Sequence, residues 1–161
     1  MAIAAALVLE PHLLVADEPV SMLDVSVRAG VLEVLDELRR AGLGILMITH
    51  DLATAASFAD RIAVMYLGRI VEDGPAREVV HNPQHPYTKA LLSVVPQRDP
   101  RVRRSPEILG GEAPDAIHIP TGCRFHPRCP IAVDACREND PELRVPGAAS
   151  SSDHRAACIL A

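Results

Sequence analysis

The chain has 161 residues, 48% of them hydrophobic, with 16 basic against 21 acidic side chains and a net charge of −5. That balance fits one ordinary soluble domain, or a domain with an appendage, and excludes collagen, coiled coil and a wholly disordered chain. It also argues against a nucleic-acid partner, because phosphate binding needs a basic face to release counterions. The only basic knot, Arg98, Arg101, Arg103 and Arg104, reads as a solvated linker run. The longest apolar run, residues 1–9, is about half of the roughly 20 residues a membrane helix needs. It has no basic n-region and no cleavage pattern before Asp17 and Glu18, so the chain is expected to be cytoplasmic.

Residues 13–16 form a short apolar run ending in acid, as expected of a parallel strand buried on both faces. A helix follows, since Val27, Val31, Val34, Leu35 and Leu38 fall on one face. Asp24 or Ser26 can cap its start, and Gly42 is placed to end it. Residues 45–49 are a second buried strand, followed by His50, Asp51 and a short helix through Ala59. Residues 61–66 and 69–72 then read as a hairpin around Leu67 and Gly68, with Gly74 and Pro75 marking the next turn. Eleven of the fourteen prolines and all four cysteines lie beyond residue 82. A boundary there divides the chain into 1–82 and 83–161. Strands alternating with helices predict an α/β fold with a parallel sheet, whose ligands bind at the carboxyl ends of the strands. Asp17, Glu18 and His50 occupy such ends.

The hexapeptide Leu13-Leu14-Val15-Ala16-Asp17-Glu18 delivers two adjacent carboxylates to a strand tip, the arrangement of a Walker B box. Magnesium prefers hard oxygen ligands and keeps several waters, so Asp17 suits a role through that water shell. Glu18 is then free to orient and polarise a water beside a terminal phosphate. Pro19-Val20-Ser21-Met22-Leu23-Asp24 and Ile48-Thr49-His50-Asp51 follow in the order and spacing of an ATP-binding cassette ATPase, and the chain resembles the later half of such a domain. Ser21 to Asp24 match the D-loop and His50 the switch histidine. The resemblance implies that Asp24 lies near the interface of a head-to-tail ATPase pair and that His50 hydrogen-bonds the terminal phosphate. Met22 stands where alanine is common in the D-loop, and Ala5 where many relatives carry arginine.

Asn82-Pro83-Gln84-His85-Pro86-Tyr87-Thr88-Lys89-Ala90-Leu91-Leu92 is similar to the stretch that marks the dipeptide, oligopeptide and nickel importer branch of these ATPases, and residues 64–72 fit the same branch. Pro86 can open a helix whose apolar face is Ala90, Leu91, Val94 and Val95, with Pro96 ending it. That segment is expected to pack rather than to catalyse. The phosphate-cradling pattern G-x-x-x-x-G-K-[ST] is absent, because Lys89 is the only lysine and no such glycines precede it. The family's signature would also lie upstream, residues 1–9 resemble the helix that follows it, and the chain is expected to begin mid-domain. These residues alone are therefore expected neither to bind ATP tightly nor to hydrolyse it, and residues 1–82 to expose apolar surface.

Cys123, Cys129, Cys136 and Cys158 are spaced C-x5-C-x6-C-x21-C in a Pro-rich segment of little periodicity. Reducing conditions make structural disulfides a poor staple, and four thiolates around a metal explain the pattern better. Zinc sites commonly use close cysteine pairs, absent here, so the spacing leans toward an iron-sulfur cluster without excluding zinc or unmetallated thiols. His126 and His154 are spare candidate ligands, able to replace a cysteine only if coordination is mixed, and otherwise read as surface polar residues. Residues 122–130 with Cys136 and Cys158 resemble the C-terminal tail of the same importer branch, which implies an all-cysteine [4Fe-4S] site.

The resemblance as a whole implies an ATP-binding subunit using ATP and Mg2+, with Glu18 and His50 catalytic and Asp17, Ser21 and Asp24 serving the nucleotide and the dimer interface. It further implies a peripheral position on the cytoplasmic side of the cell membrane. The implied partners are a second ATPase subunit, identical or different, the transmembrane permease subunits and, indirectly, a solute-binding protein. The alternatives are a metal- or redox-sensing module with a vestigial ATPase half, and a non-functional truncated product.

Overall fold

The computed structural model of the chain describes residues 2–95, 110, 115–147 and 153–161. Pro96 and the arginines at 98, 101, 103 and 104 lie outside the described residues. By compactness the chain divides into two units, Met1–Phe58 and Ala59–Ala161, whereas the change in composition comes at residue 82.

The first unit runs α1 (Ala2–Leu7), β1 (Leu13–Asp17), α2 (Val25–Arg40), β2 (Gly44–Ile48) and α3 (Leu52–Phe58). β1 and β2 pair in parallel from Leu13 opposite Gly44 to Asp17 opposite Ile48. The predicted crossover helix is α2. Asp24 caps it, its carboxylate accepting the Val27 N–H at 3.0 Å, and Gly42 follows its end in a left-handed conformation at φ 103°. Leu14 and Ala16 are buried on one face of the sheet, with Leu32 and Leu35 of α2 also in the core. The other face departs from the sequence expectation of strands covered on both sides. Leu13, Val15, Leu46 and Ile48 are each at least half exposed, because no second layer covers them among the described residues of this unit. The expected exposed apolar surface is this face.

The second unit contains β3 (Arg61–Tyr66), β4 (Arg69–Pro75), α4 (Ala76–His81), α5 (Pro86–Ser93), a 3-10 turn at His126–Arg128, α6 (Ala135–Glu138) and β5 (Arg155–Ala156). β3 and β4 form the predicted hairpin, and Leu67 and Gly68 both take positive φ, 46° and 74°, as a two-residue turn matched to strand twist requires. β4 runs longer than expected. Gly74 and Pro75 belong to its end, and α4 starts at the next residue. The tail, read as irregular, contributes β5, which pairs antiparallel with β4 through Glu72–Ala156 and Asp73–Arg155. Pro86 opens α5 as expected, but the helix buries Thr88, Ala90 and Leu92, while Val94 is 62% exposed at its C-cap. The helix ends too early for Val94 to join its buried face.

Candidate functional site

In the first unit the carboxyl end of β1 carries the predicted cluster. Asp17 closes the strand opposite Ile48, its side chain exposed. Glu18 follows at φ 45°, a left-handed conformation uncommon for a residue with a side chain. Its N–H still donates to the Ile48 carbonyl at 2.9 Å, so the ladder holds the strained residue at the tip of the sheet. The Ser21 N–H and hydroxyl both return to the Glu18 carbonyl, at 3.3 and 3.1 Å, closing a tight turn. Two residues beyond the end of β2, His50 places Nδ1 at 2.9 Å from Glu18 Oε1. The hydrogen bond from His50 and the pull of its charge hold the Glu18 carboxyl below the usual carboxylate range.

The sheet thus joins Glu18 and His50, which lie 32 residues apart in sequence. Asp24 is engaged differently. Its Oδ1 accepts from the Val27 N–H and, at 2.8 Å, from the Ser26 hydroxyl, and these bonds lower its pKa. Asp24 is thereby the cap of α2. Asp51 caps α3 in a similar manner, accepting from the N–H groups of Ala53 and Thr54 and from the Thr54 hydroxyl. The His50 side chain therefore sits between a strand end and a fixed helix start.

In the second unit Cys123, Cys129, Cys136 and Cys158 line one pocket, together with His85, His126 and Phe125. All four are free thiols. Burial pushes the thiols of Cys123 and Cys129 up, and the neighbouring cysteines add to it, since thiolates sharing a pocket repel one another. A bound cation would reverse that repulsion. Among the described residues no group of three or more His, Cys, Asp or Glu side chains is placed to hold a metal ion, the four cysteines included. Two backbone features fix the walls. Cys123 N–H donates to the Cys136 carbonyl at 2.9 Å, and Gly122 has φ 67° with the Arg137 and Cys136 backbones so close that a Cβ would stand 2.5 Å from them. His126 directs Nδ1 at the Cys123 carbonyl, 2.9 Å away.

His154 corrects the expectation of a surface residue: it is fully buried, with Nε2 at 2.7 Å from Glu72 Oε1. Glu72 is also fully buried. It accepts the Gln84 N–H on Oε1 and the His85 N–H on Oε2, both at 2.8 Å. One carboxyl group thus ties β4 to the start of α5 and to the tail. On the opposite face of β4, Asp73 accepts a two-pronged bond from Arg61, at 2.8 and 2.6 Å, and one from Arg155 at 2.8 Å. The first cause of its lowered pKa is the Arg61 bond. Tyr66, Tyr87 and Phe125 pack ring against ring at centroid distances of 4.7 to 5.4 Å, and His85 lies 5.6 Å from Phe125. The sequence reading passed over Glu72, His85 and this cluster. The available signal was the pair Glu72-Asp73 inside a strand: adjacent strand residues face opposite sides, so two acids there require partners on both.

Comparison with known proteins bears on both units. Residues 71–136 match the family model described as the oligopeptide/dipeptide transporter, C-terminal region. The chain is 51% identical over 144 residues to the dipeptide transport ATP-binding protein DppF of Haemophilus influenzae, covering 89% of this chain and 44% of that protein. It is 49% identical over 160 residues to the oligopeptide transport ATP-binding protein OppF of Salmonella typhimurium, covering 98% and 46%. The chain thus spans less than half the length of these curated relatives. Among solved structures, cbiO1 from Clostridium perfringens, part of the ABC transporter complex cbiONQ, aligns at a TM-score of 0.47 and 34% identity over 50% of this chain and 33% of that one.

Proposed function

From the premise that this chain belongs, through residues 71–136, to the oligopeptide/dipeptide transporter C-terminal region family, we propose that it supplies the water-handling half of an ABC importer ATPase site. The observation that carries the reading is the Glu18–His50 contact at 2.9 Å on the carboxyl ends of two parallel strands. Magnesium bound with ATP would neutralise phosphate charge there, with Asp17 as its carboxylate partner. Glu18, kept ionised by its bond to His50, accepts a hydrogen bond from the attacking water and so orients it. While His50 gives its Nδ1 proton to Glu18, the ring can donate to a phosphate only through a protonated Nε2, or after turning away from Glu18. The side chain, 75% exposed, has room to turn.

Ser21 and Asp24 belong to the surface that meets a second ATPase subunit, and the permease subunits and, indirectly, a solute-binding protein complete the machine. No described helix is long and apolar enough to cross a membrane. The same reading makes the chain a peripheral subunit on the cytoplasmic face. Parallel strands are normally covered on both faces, and the bare face of Leu13, Val15, Leu46 and Ile48 is read as packing against further polypeptide. The four cysteines are read as ligands of a [4Fe-4S] cluster, with zinc as the alternative. The convergence of four free thiols on one pocket supports a four-thiolate site. Anaerobic preparation that yields stoichiometric zinc without iron or sulfide would replace the cluster by zinc.

Labelled-peptide uptake tests the transport reading. Cells in which this protein carries Glu18→Gln are expected to take up di- or oligopeptides at the background rate with unchanged protein level. Uptake at the wild-type rate would overturn the assignment.

A further inference from the structure

His50 stands between two residues that are bonded to one another and to the start of α3. The Thr49 hydroxyl accepts the Asp51 N–H at 3.0 Å, and the Asp51 carboxylate accepts the Ala53 and Thr54 N–H groups on Oδ1 and the Thr54 hydroxyl on Oδ2. That carboxylate has a further neighbour, which comes from another helix. Nη1 of Arg28 lies 3.6 Å from Asp51 Oδ2, the separation of an ion pair rather than of a hydrogen bond. Both side chains are about one third exposed, and Arg28 Nε is buried with no partner, so the packed stem leaves the charge on the outer nitrogens beside Asp51. The Thr54 hydroxyl first, with Arg28 among the lesser causes, holds the Asp51 carboxyl below the usual carboxylate range.

Arg28 belongs to the first turn of α2. Its N–H donates to the Asp24 carbonyl at 2.9 Å, and Asp24 is the cap of that helix. The turn that carries Asp24 is thereby joined through Arg28 to Asp51, the residue next to His50, whose ring meets Glu18 at 2.9 Å. Among the described residues no hydrogen bond or ion pair joins Arg28 to Glu18 or to His50 themselves.

We propose that Arg28 is a positioning residue for the Glu18–His50 pair, acting through Asp51 to tie the first turn of α2 to the backbone at His50. The inference rests on the catalytic reading of Glu18 and His50 given above. Misplacing a catalytic group lowers the rate of the chemical step without weakening contacts made elsewhere to the substrate, so the loss of Arg28 falls on kcat and leaves KM for ATP unchanged.

The test is ATP turnover by the purified importer complex over a range of ATP concentrations. This subunit is compared as wild type, Glu18→Gln, Arg28→Gln, Arg28→Lys, Asp51→Asn and the Arg28→Gln/Asp51→Asn pair, with the melting temperature of each. Asparagine keeps the ability to cap α3 while losing the charge that Arg28 meets. Arg28→Gln is expected to lower kcat about three- to fivefold, the scale of a partly exposed ion pair, at an unchanged KM, and Arg28→Lys to recover most of it. In the Asp51→Asn background the Arg28→Gln change is expected to add less than about 1.5-fold, because the partner it acts through is already neutral. An unchanged kcat in Arg28→Gln, or a full threefold fall that persists in the Asp51→Asn background, would overturn the role of Arg28 and leave the catalytic pair standing. A rise in KM at constant kcat, or a fall in kcat that follows the melting temperature and is not recovered by lysine, would overturn it as well. Wild-type turnover that Glu18→Gln leaves intact would overturn the catalytic reading and this inference with it.

Discussion

Replacing Glu72 by alanine removes one buried side chain and leaves three donors behind: the N–H groups of Gln84 and His85 and Nε2 of His154. Each buried donor stripped of its partner costs about 1–3 kcal/mol. Rearrangement of the tail relieves part of this, and a net loss of roughly 3–6 kcal/mol follows. In a unit of this size each kcal/mol shifts the midpoint by about 4–8 °C, so the melting temperature should fall by at least about 12 °C. Glu72→Gln keeps the volume and one acceptor oxygen. With that oxygen on the Gln84 and His154 side, its amide nitrogen meets the His85 N–H, at a cost of about 1–3 kcal/mol. Denaturant unfolding should therefore rank wild type above Glu72→Gln above Glu72→Ala. Hydrogen exchange adds a local reading: both the Gln84 and His85 amides lose protection in the alanine variant, and only His85 in the glutamine variant. An alanine variant within about 1 kcal/mol of wild type, with both amides still protected, would refute the view that this carboxyl group ties strand, helix and tail together.

Asp73 gives the second unit an acid limit. Its folded pKa lies below the ordinary value of 3.8, held there by Arg61 first and Arg155 next, so the stability it contributes is full above about pH 4 and is lost as pH falls through the lower folded value. Asp73→Asn should flatten that part of the acid-denaturation curve, and an unchanged acid limb would contradict the assignment. Gly122→Ala should cost about 2–4 kcal/mol, through both its positive φ and the 2.5 Å approach to the Cys136 and Arg137 backbones. Faster alkylation of Cys136, buried in the wild type, would report the displaced wall.

Much of the first unit was legible because its determinants are local. Apolar runs marked the parallel strands, Asp24 marked the helix start, and the acids and His50 stood at strand ends whatever the register. The burial of β1 was misjudged because strand composition shows that a residue prefers a covered face without showing whether anything covers it. The second unit resisted for another reason. β5 has two residues, too few for any periodicity, and it forms because Arg155 meets Asp73 and His154 meets Glu72, each 82 residues away. A histidine and an arginine in a polar tail look solvated until those acids are known to be inside the sheet. Convergence of the cysteines was expected from their number, whereas the burial of His85 was hidden because it depends on Glu72 and Phe125, both remote in sequence.

The central claim is that Glu18, paired with His50, handles the water that attacks ATP. ATP turnover by the purified importer complex, wild type against Glu18→Gln, tests it most directly. The account predicts a fall of at least about 100-fold with ATP binding retained, the scale of a lost general base. Turnover that survives in Glu18→Gln, or is absent from the wild type, would contradict it.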